Sequence, residues 1–269
     1  MRFRKMHGLG NDFVIIDSRG ECLIEPEPLL AVLGDRRRGV GFDQLARIEK
    51  SASSDARLRF WNADGSPSAT CGNATRCIAR MLMDETGAAG VVLETERGAL
   101  ICEDAGDGLT RVNMGQPQFD WQDIPLAAGM DPLSLPVDGN PTALGMGNPH
   151  CVFVVEDAEA APVEQLGPKM ETHSLFPMRT NVEFVSLRAP GSLRVRIWER
   201  GVGITLASGS GACAAAVAGA RRGLTDRNVE VVLDGGVLDI DWREDGVWVT
   251  GPTTHVFDGV LSPGLAEAG

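Results

Sequence analysis

A displacement of 137 residues lays this chain on itself, polar residue on polar residue. "GLGNDFVII" at 8–16 meets "GMGNPHCVF" at 145–153, "RLRFWN" at 57–62 meets "RVRIWE" at 194–199, and "CGN" at 71–73 meets "SGS" at 208–210, with no gap between the matches. The pairs include Asn11 with Asn148, Gln44 with Asn181, Asn62 with Glu199, Cys71 with Ser208 and Asn73 with Ser210. A period of half the chain is too long for a solenoid, whose repeats run to a few tens of residues. It describes two copies of one domain, and a shared cleft to which each copy brings the same positions. Preservation of turns and core alone would not keep Asn, Gln and Cys/Ser in step.

Composition agrees with that division. The 269 residues hold two domains of ordinary size, and 43% hydrophobic with 23% charged residues is normal for a globular protein. A net charge of −12 argues against nucleic acid and anionic membranes as partners, since both favour a basic patch, and reads as a matter of solubility. The opening "MRFRKMHGLGNDF" has no apolar stretch of signal-peptide length, and no run approaches the roughly 18 apolar residues of a membrane span. The six cysteines include no CxxC pair, and His7, His150, His173 and His255 are scattered, so no metal site is expected. Reduced thiols and a cytoplasmic location are the default for such a chain.

Short β-branched or alternating segments predict strands at 13–17, 56–61, 91–95, 151–155, 182–187 and 193–198, and a hairpin over 229–242 with Gly235-Gly236 in its turn. Arg57-Leu58-Arg59-Phe60 and its copy Arg194-Val195-Arg196-Ile197 read as apolar inside and arginine outside. Helices are predicted at 74–85, closed by Gly87, and at 211–222, closed by Gly223. The second, "GACAAAVAGARR", has almost no polar face, so it must be buried on most sides, as a curved sheet wrapped around it would do. The Pro-, Asp- and Gly-rich stretch 115–141 reads as the crossover between domains.

The chemistry gathers where those helices start. A thiol at position 71 meets the unsatisfied N–H groups and the positive end of the first helix. Such placement lowers a cysteine pKa from about 8.5, in some proteins to roughly 3.5–7.5. The same N–H groups can hold a carboxylate, with Gly72 and Gly209 allowing close approach of the ligand. The alternative is a structural cysteine at a helix cap. Against it stands the partner position, Ser208, also a small side chain with a nucleophilic heteroatom.

"HGLGNDFVIID", "NADGS" at 62–66, "CGNATRC" at 71–77, "GNPHCV" at 147–152, "TNVEFV" at 180–185, "WERGVG" at 198–203 and "ASGSGACA" at 207–214 follow one another in the order found in the diaminopimelate epimerases, which this chain resembles. The resemblance implies an α+β fold of two pseudo-symmetric α/β domains, each a curved, mostly antiparallel sheet around a central helix, with the active site in the cleft between them. The domains would be 1–116 plus 257–269 and 117–256, the strand at 254–261 returning to the first. It implies a pyridoxal-independent isomerase that epimerises L,L-diaminopimelate to the meso form for lysine and peptidoglycan precursor synthesis, needing no cofactor or metal. Its partner is a small diamino dicarboxylate, with neither nucleic acid nor membrane, and a homodimer is possible.

In that family one cysteine, as thiolate, takes the α-proton while another, as thiol, protonates the far face. The resemblance assigns Cys71 as one of the pair, and His150 and Glu199 as groups that adjust thiol protonation. Asn11, Gln44, Asn62, Asn148 and Asn181 resemble the ligand-binding amides, and Arg200 the residue that meets the distal carboxylate. Gly72, Asn73, Gly209 and Ser210 resemble the cradle of the α-carboxylate. One departure matters: where the family has "ACGSG", this chain has Ala207-Ser208-Gly209-Ser210-Gly211. A hydroxyl is a weak acid and base at neutral pH, and a poor pKa match costs rate. Two explanations are open: a deliberate Cys-to-Ser exchange that blocks turnover, or a natural variant with altered chemistry. Three functions follow: an epimerase impaired at Ser208, a one-cysteine racemase or hydroxyproline-type dehydratase, and a catalytically dead diaminopimelate-binding protein.

Overall fold

The computed structural model describes residues 1–20, 29–69 and 71–262. Its contacts divide the chain into two compact units, Met1–Val112 with the return from Pro252, and Asn113–Gly251.

In the first unit, β1 (Arg2–Gly8) and β2 (Asn11–Asp17) form a hairpin. Its two turn residues, Leu9 and Gly10, both have positive φ (55° and 85°), the twist that joins antiparallel strands most tightly. Next come the short helix α1 (Leu30–Gly34), β3 (Gln44–Glu49) parallel to β2, and β4 (Ala56–Asn62) antiparallel to β3. Then follow β5 (Pro67–Ser68), antiparallel to β4, and α2 (Gly72–Thr86). The strand β6 (Gly90–Thr95) lies parallel to β4, with the antiparallel β7 (Gly98–Gly106) and β8 (Leu109–Asn113) after it.

The second unit repeats this scheme strand for strand. β9 (Thr142–Gly145) and β10 (Pro149–Val154) are antiparallel. After helix α3 (Val163–Glu171) comes β11 (Asn181–Ala189), parallel to β10, then β12 (Ser192–Glu199), antiparallel to β11. β13 (Gly203–Ile204) precedes helix α4 (Gly209–Arg221), and β14 (Asn228–Leu233) returns parallel to β12. The antiparallel β15 (Gly236–Arg243) and β16 (Gly246–Pro252) complete it. The sheets are therefore mostly antiparallel, and the 137-residue repeat is a repeat of topology. The last strand, β17 (Thr254–Val260), pairs with β1 along its whole length, so the chain ends in the unit where it began.

Each long helix is the centre of its unit. α2 packs on β1, β2, β6 and β7, and α4 on six strands from β9 to β15. From Ala212 to Ala218 no residue of α4 is more than 2% exposed. Small side chains are what this place requires, because they let the sheet close around the helix, and alanine adds the strongest helix preference. The alternation expected in the copied arginine strands is present: Leu58, Phe60, Val195 and Ile197 are buried while Arg57 is exposed and Arg59, Arg194 and Arg196 are half-exposed.

Two local expectations change, and a helix appears that the sequence did not predict. The turn of the hairpin at 229–242 is Asp234-Gly235, since Gly236 already pairs with Leu233. Helix α3 was hidden by Pro168 inside it, normally a breaker. The stretch 115–141 is irregular apart from a bridge between Gln118 and Gly145, as expected. It is no loose crossover, however: its Ile124, Leu126 and Leu135 are buried with Phe153 and Phe184 in the core of the second unit.

Candidate active site

In the first unit Cys71, Asn73 and Asn11 meet at the start of α2. Cys71 is the N-cap, in extended backbone (φ −148°, ψ 105°), and its Sγ accepts from Ala74 N at 3.5 Å. Asn73, in the first turn, is buried and donates from Nδ2 to Asn11 Oδ1 at 3.1 Å. Asn11 in turn donates to Asp43 Oδ2 (2.9 Å), so both ends of its amide are fixed. The hairpin makes this possible: Asn11 lies opposite Gly8, and a Cβ on Gly8 would come within 3.4 Å of Asn73 Cβ. The "GLGN" motif is thus a tight turn that lets β1 lie against the helix start and delivers an asparagine to it. Gln44 and Asn62 are register partners at the ends of β3 and β4, joined by Gln44 Nε2 to Asn62 Oδ1 at 2.9 Å.

The second unit builds the same site from its copy. Ser208 is the N-cap of α4 (φ −138°, ψ 122°), and its Oγ accepts from Gly211 N at 3.2 Å. Asn148 follows the β9 turn and its Nδ2 reaches Ser210 Oγ at 3.5 Å, across the same 62 positions that separate Asn11 from Asn73. Asn181 starts β11 beside His150. It donates to Pro149 O (3.0 Å) and accepts the Arg200 N–H (3.0 Å). Glu199 ends β12, half-buried, and Arg200 donates from Nη1 to Met178 O. Gly72 and Gly209 are the first residues of their helices, both buried.

His150 departs from the symmetry. It is wholly buried, with Nε2 3.0 Å from Asn148 Oδ1 and Nδ1 2.7 Å from Glu183 Oε1. Glu183 was not singled out from the sequence. The available signal was a glutamate inside "NVEFV", a run otherwise apolar after its first residue and buried on both faces. Burial pushes the Glu183 carboxyl up, against the pull of His150. Two other groups went unnoticed because they support rather than line the site. Asp43 holds Asn11 and the Asp12 N–H. Glu171 accepts from Trp198 Nε1 (2.7 Å) and Gly201 N (3.0 Å), bracketing Arg200.

The thiols divide sharply. Cys71 is half-buried, while Cys77, Cys102, Cys151 and Cys213 are buried. Burial pushes Cys77 and Cys102 up to about 12, and burial with the nearby Glu183 also pushes the Cys151 thiol well above its ordinary value. None of these three can supply a thiolate near neutral pH. Among the described residues no group of three or more His, Cys, Asp or Glu side chains is placed to hold a metal, and no helix is long and apolar enough to cross a membrane.

The diaminopimelate epimerase family matches residues 3–120 and 142–256. The diaminopimelate epimerase of Rhodospirillum centenum is 49% identical over 98% of this chain and 93% of its own length. That of Acidiphilium cryptum is 48% identical over 98% and 97%. Among solved structures, a phenazine biosynthesis protein of the PhzF family from Bacillus anthracis aligns with a TM-score of 0.69 at 17% identity, over 97% of this chain and 99% of its own. A hydroxyproline epimerase from Agrobacterium vitis, with bound trans-4-hydroxy-L-proline, aligns with a TM-score of 0.66 at 14% identity, over 96% and 91%. These two likenesses are of fold.

Proposed function

The chain belongs to the diaminopimelate epimerase family, and from that premise we propose that it binds the stereoisomers of diaminopimelate and acts on their α-carbon with one thiol instead of two. One observation carries the reading: each unit ends a strand–turn motif in a long helix whose N-cap side chain, Cys71 Sγ or Ser208 Oγ, accepts from the N–H three residues on. In each, an asparagine 62 positions earlier is tied to the second helical residue.

In this reading the first-turn N–H groups of α2 and α4, with Gly72, Asn73, Gly209 and Ser210, hold the α-carboxylate, which a helix N-terminus favours. The same field favours a thiolate at Cys71, which takes the α-proton from the face it meets. Residue 208 owns the other face. A serine hydroxyl there neither loses a proton readily nor returns one as well as a thiol. No described thiol of the second unit replaces it, since Cys151 and Cys213 are buried. Asn11, Gln44, Asn62, Asn148 and Asn181 hold the two ends of the substrate, and His150 and Glu199 act on the protonation of the bases. Arg200 meets the distal carboxylate, for which a guanidinium fork is suited. The chemistry requires no cofactor, and the protein works in the cytoplasm, with a homodimer as its assembly.

Isothermal titration with L,L-, meso- and D,D-diaminopimelate tests this. Binding of L,L- and meso-forms by the chain as it stands, with Kd little changed in Ser208→Cys, is the expected result. Absence of binding in both proteins would refute the substrate assignment. Preference for a hydroxyproline would favour the dehydratase reading.

A further inference from the structure

Glu183 is the third residue of β11 and has no exposed surface, between Val182 and Phe184, which are equally buried. A charged carboxyl in such a place is strongly disfavoured unless it takes up a proton or is paired. Only one of its oxygens is engaged: Oε1 faces His150 Nδ1 at 2.7 Å, while Oε2 is buried without a hydrogen-bond partner among the described residues. The contact continues outward. His150 Nε2 lies 3.0 Å from Asn148 Oδ1, and Asn148 Nδ2 lies 3.5 Å from Ser210 Oγ. Glu183 also lies directly beneath the start of α4: a Cβ on Gly211 would be 3.1 Å from Oε1 and 3.3 Å from Ser208 Cβ.

The ring nitrogens turn this chain of contacts into a rule. If a proton sits between Nδ1 and Oε1 in addition to the one the ring carries, either the carboxylic acid donates to Nδ1 or an imidazolium donates to the carboxylate. In both cases Nε2 bears hydrogen and donates. An amide oxygen must then face it, and the Asn148 N–H2 group turns toward Ser210. If instead a carboxylate accepts from a neutral ring protonated on Nδ1, Nε2 becomes an acceptor. The Asn148 amide must then rotate and present its oxygen at the helix start.

We propose that Glu183 is a positioning residue: through His150 it fixes the Asn148 amide with its N–H2 group toward the first turn of α4, where that group donates to the substrate carboxylate. The proposal rests on the reading of Asn148 as a ligand-binding amide. It explains why a carboxyl is kept in the core of the second unit, although the first unit builds its helix start without one. It also gives Gly211 a role, because a Cβ there would press on Ile197 Cδ1 (2.9 Å), on the carboxyl oxygen (3.1 Å) and on Ser208 Cβ (3.3 Å).

The test uses the full chain with Glu183→Gln and Glu183→Met. Gln keeps the bond, since its amide N–H donates to Nδ1 and leaves hydrogen on Nε2. Met keeps the volume and loses the bond. Two readouts are taken: Kd for meso-diaminopimelate by calorimetry, and the 15N shifts of the His150 ring in histidine-labelled protein. The parent and Glu183→Gln should show a protonated Nε2 and bind within about threefold of each other, whereas Glu183→Met should bind at least tenfold more weakly and lose that ring signature. A folded Glu183→Met that binds like the parent would overturn the proposal. If that variant does not fold, the parent ring spectrum decides: an Nε2 without hydrogen overturns it, and an Nε2 with hydrogen, retained in Glu183→Gln, upholds it. Failure of the parent itself to bind diaminopimelate would refute the proposed function, while the ring signature would still decide the role of Glu183.

Discussion

Asp12→Asn should weaken the first unit in a way that depends on pH. Asp12 accepts from Lys5 Nζ at 2.5 Å, from Arg36 Nη1 and Nη2 at 3.0 and 2.7 Å, and from Asp43 N at 3.0 Å. Lys5, itself buried, has Gly41 O as its other partner. Burial alone would raise the Asp12 carboxyl, but the bonds and charges of Arg36 and Lys5 outweigh it and bring it from 3.8 down to about 2. At about 1.4 kcal/mol per pKa unit, ionised Asp12 stabilises the fold by about 2 kcal/mol over its protonated form. Asparagine imitates that protonated form. A carboxyl whose pKa is lower in the folded state contributes in full above its unfolded value of 3.8, and the contribution drains away as pH falls toward 2. The difference between parent and variant should therefore be about 2 kcal/mol at pH 7, roughly 1 kcal/mol near pH 3, and close to nothing below pH 2. The two units need not unfold together. Hydrogen exchange should thus be read by mass spectrometry on peptides covering 11–17 and 44–49. A difference that stays constant between pH 7 and pH 3 would show that packing, and not charge, explains the loss, and would refute the reasoning.

Gly211→Ala should not gain the usual helix benefit of alanine, about 1 kcal/mol, because its Cβ would stand 2.9 Å from Ile197 Cδ1 as well as against Glu183 and Ser208; a Tm equal to or above that of the parent would contradict this crowding. Arg200→Ala should weaken diaminopimelate binding by about thirtyfold, the ~2 kcal/mol of a lost charge-assisted bond, while leaving the much weaker binding of lysine, which lacks the distal carboxylate, nearly unchanged; calorimetry with both ligands compares them, and equal losses would remove Arg200 from that role. In D2O the proposed one-thiol chemistry predicts slow deuterium uptake at the α-carbon of one stereoisomer without matching inversion, because Cys71 would exchange the proton it takes for a deuteron from solvent and deliver that deuteron to the same face; NMR showing equal exchange from both isomers would reveal a competent second base.

Much of this was legible in the sequence because the repeat constrains polar positions. Asn11 and Asn148, or Cys71 and Ser208, could be paired before any fold was known, and each pair occupies equivalent places, at a hairpin turn and at a helix N-cap. The arginine strands were legible because alternation shows directly which face is buried. What escaped notice lacked either signal. Glu183 interrupts a strand buried on both faces, where no alternation marks a functional position. Asp43 and Glu171 act on backbone and side chains that themselves hold the site, so neither belongs to a motif with its own chemistry. Helix α3 contains a proline, and its Gly167 is demanded by the Trp198 ring, whose Cγ would lie 2.5 Å from a Cβ there; that contact exists only in three dimensions. The segment 115–141 carries loop composition, yet three of its apolar residues are core, a reminder that irregular backbone and a linker are different things.

The central claim is that this fold presents an epimerase site in which the atom at residue 208 sets the rate. Ser208→Cys changes one oxygen to sulfur at a helix N-cap whose N–H partner, Gly211, remains in place. Conversion of L,L- to meso-diaminopimelate, followed by chiral chromatography for parent and variant at equal concentration, measures the consequence. The account predicts a rise of at least a hundredfold, the low end of what a well-matched acid–base group contributes. A variant that binds diaminopimelate and converts it no faster than the parent would contradict it.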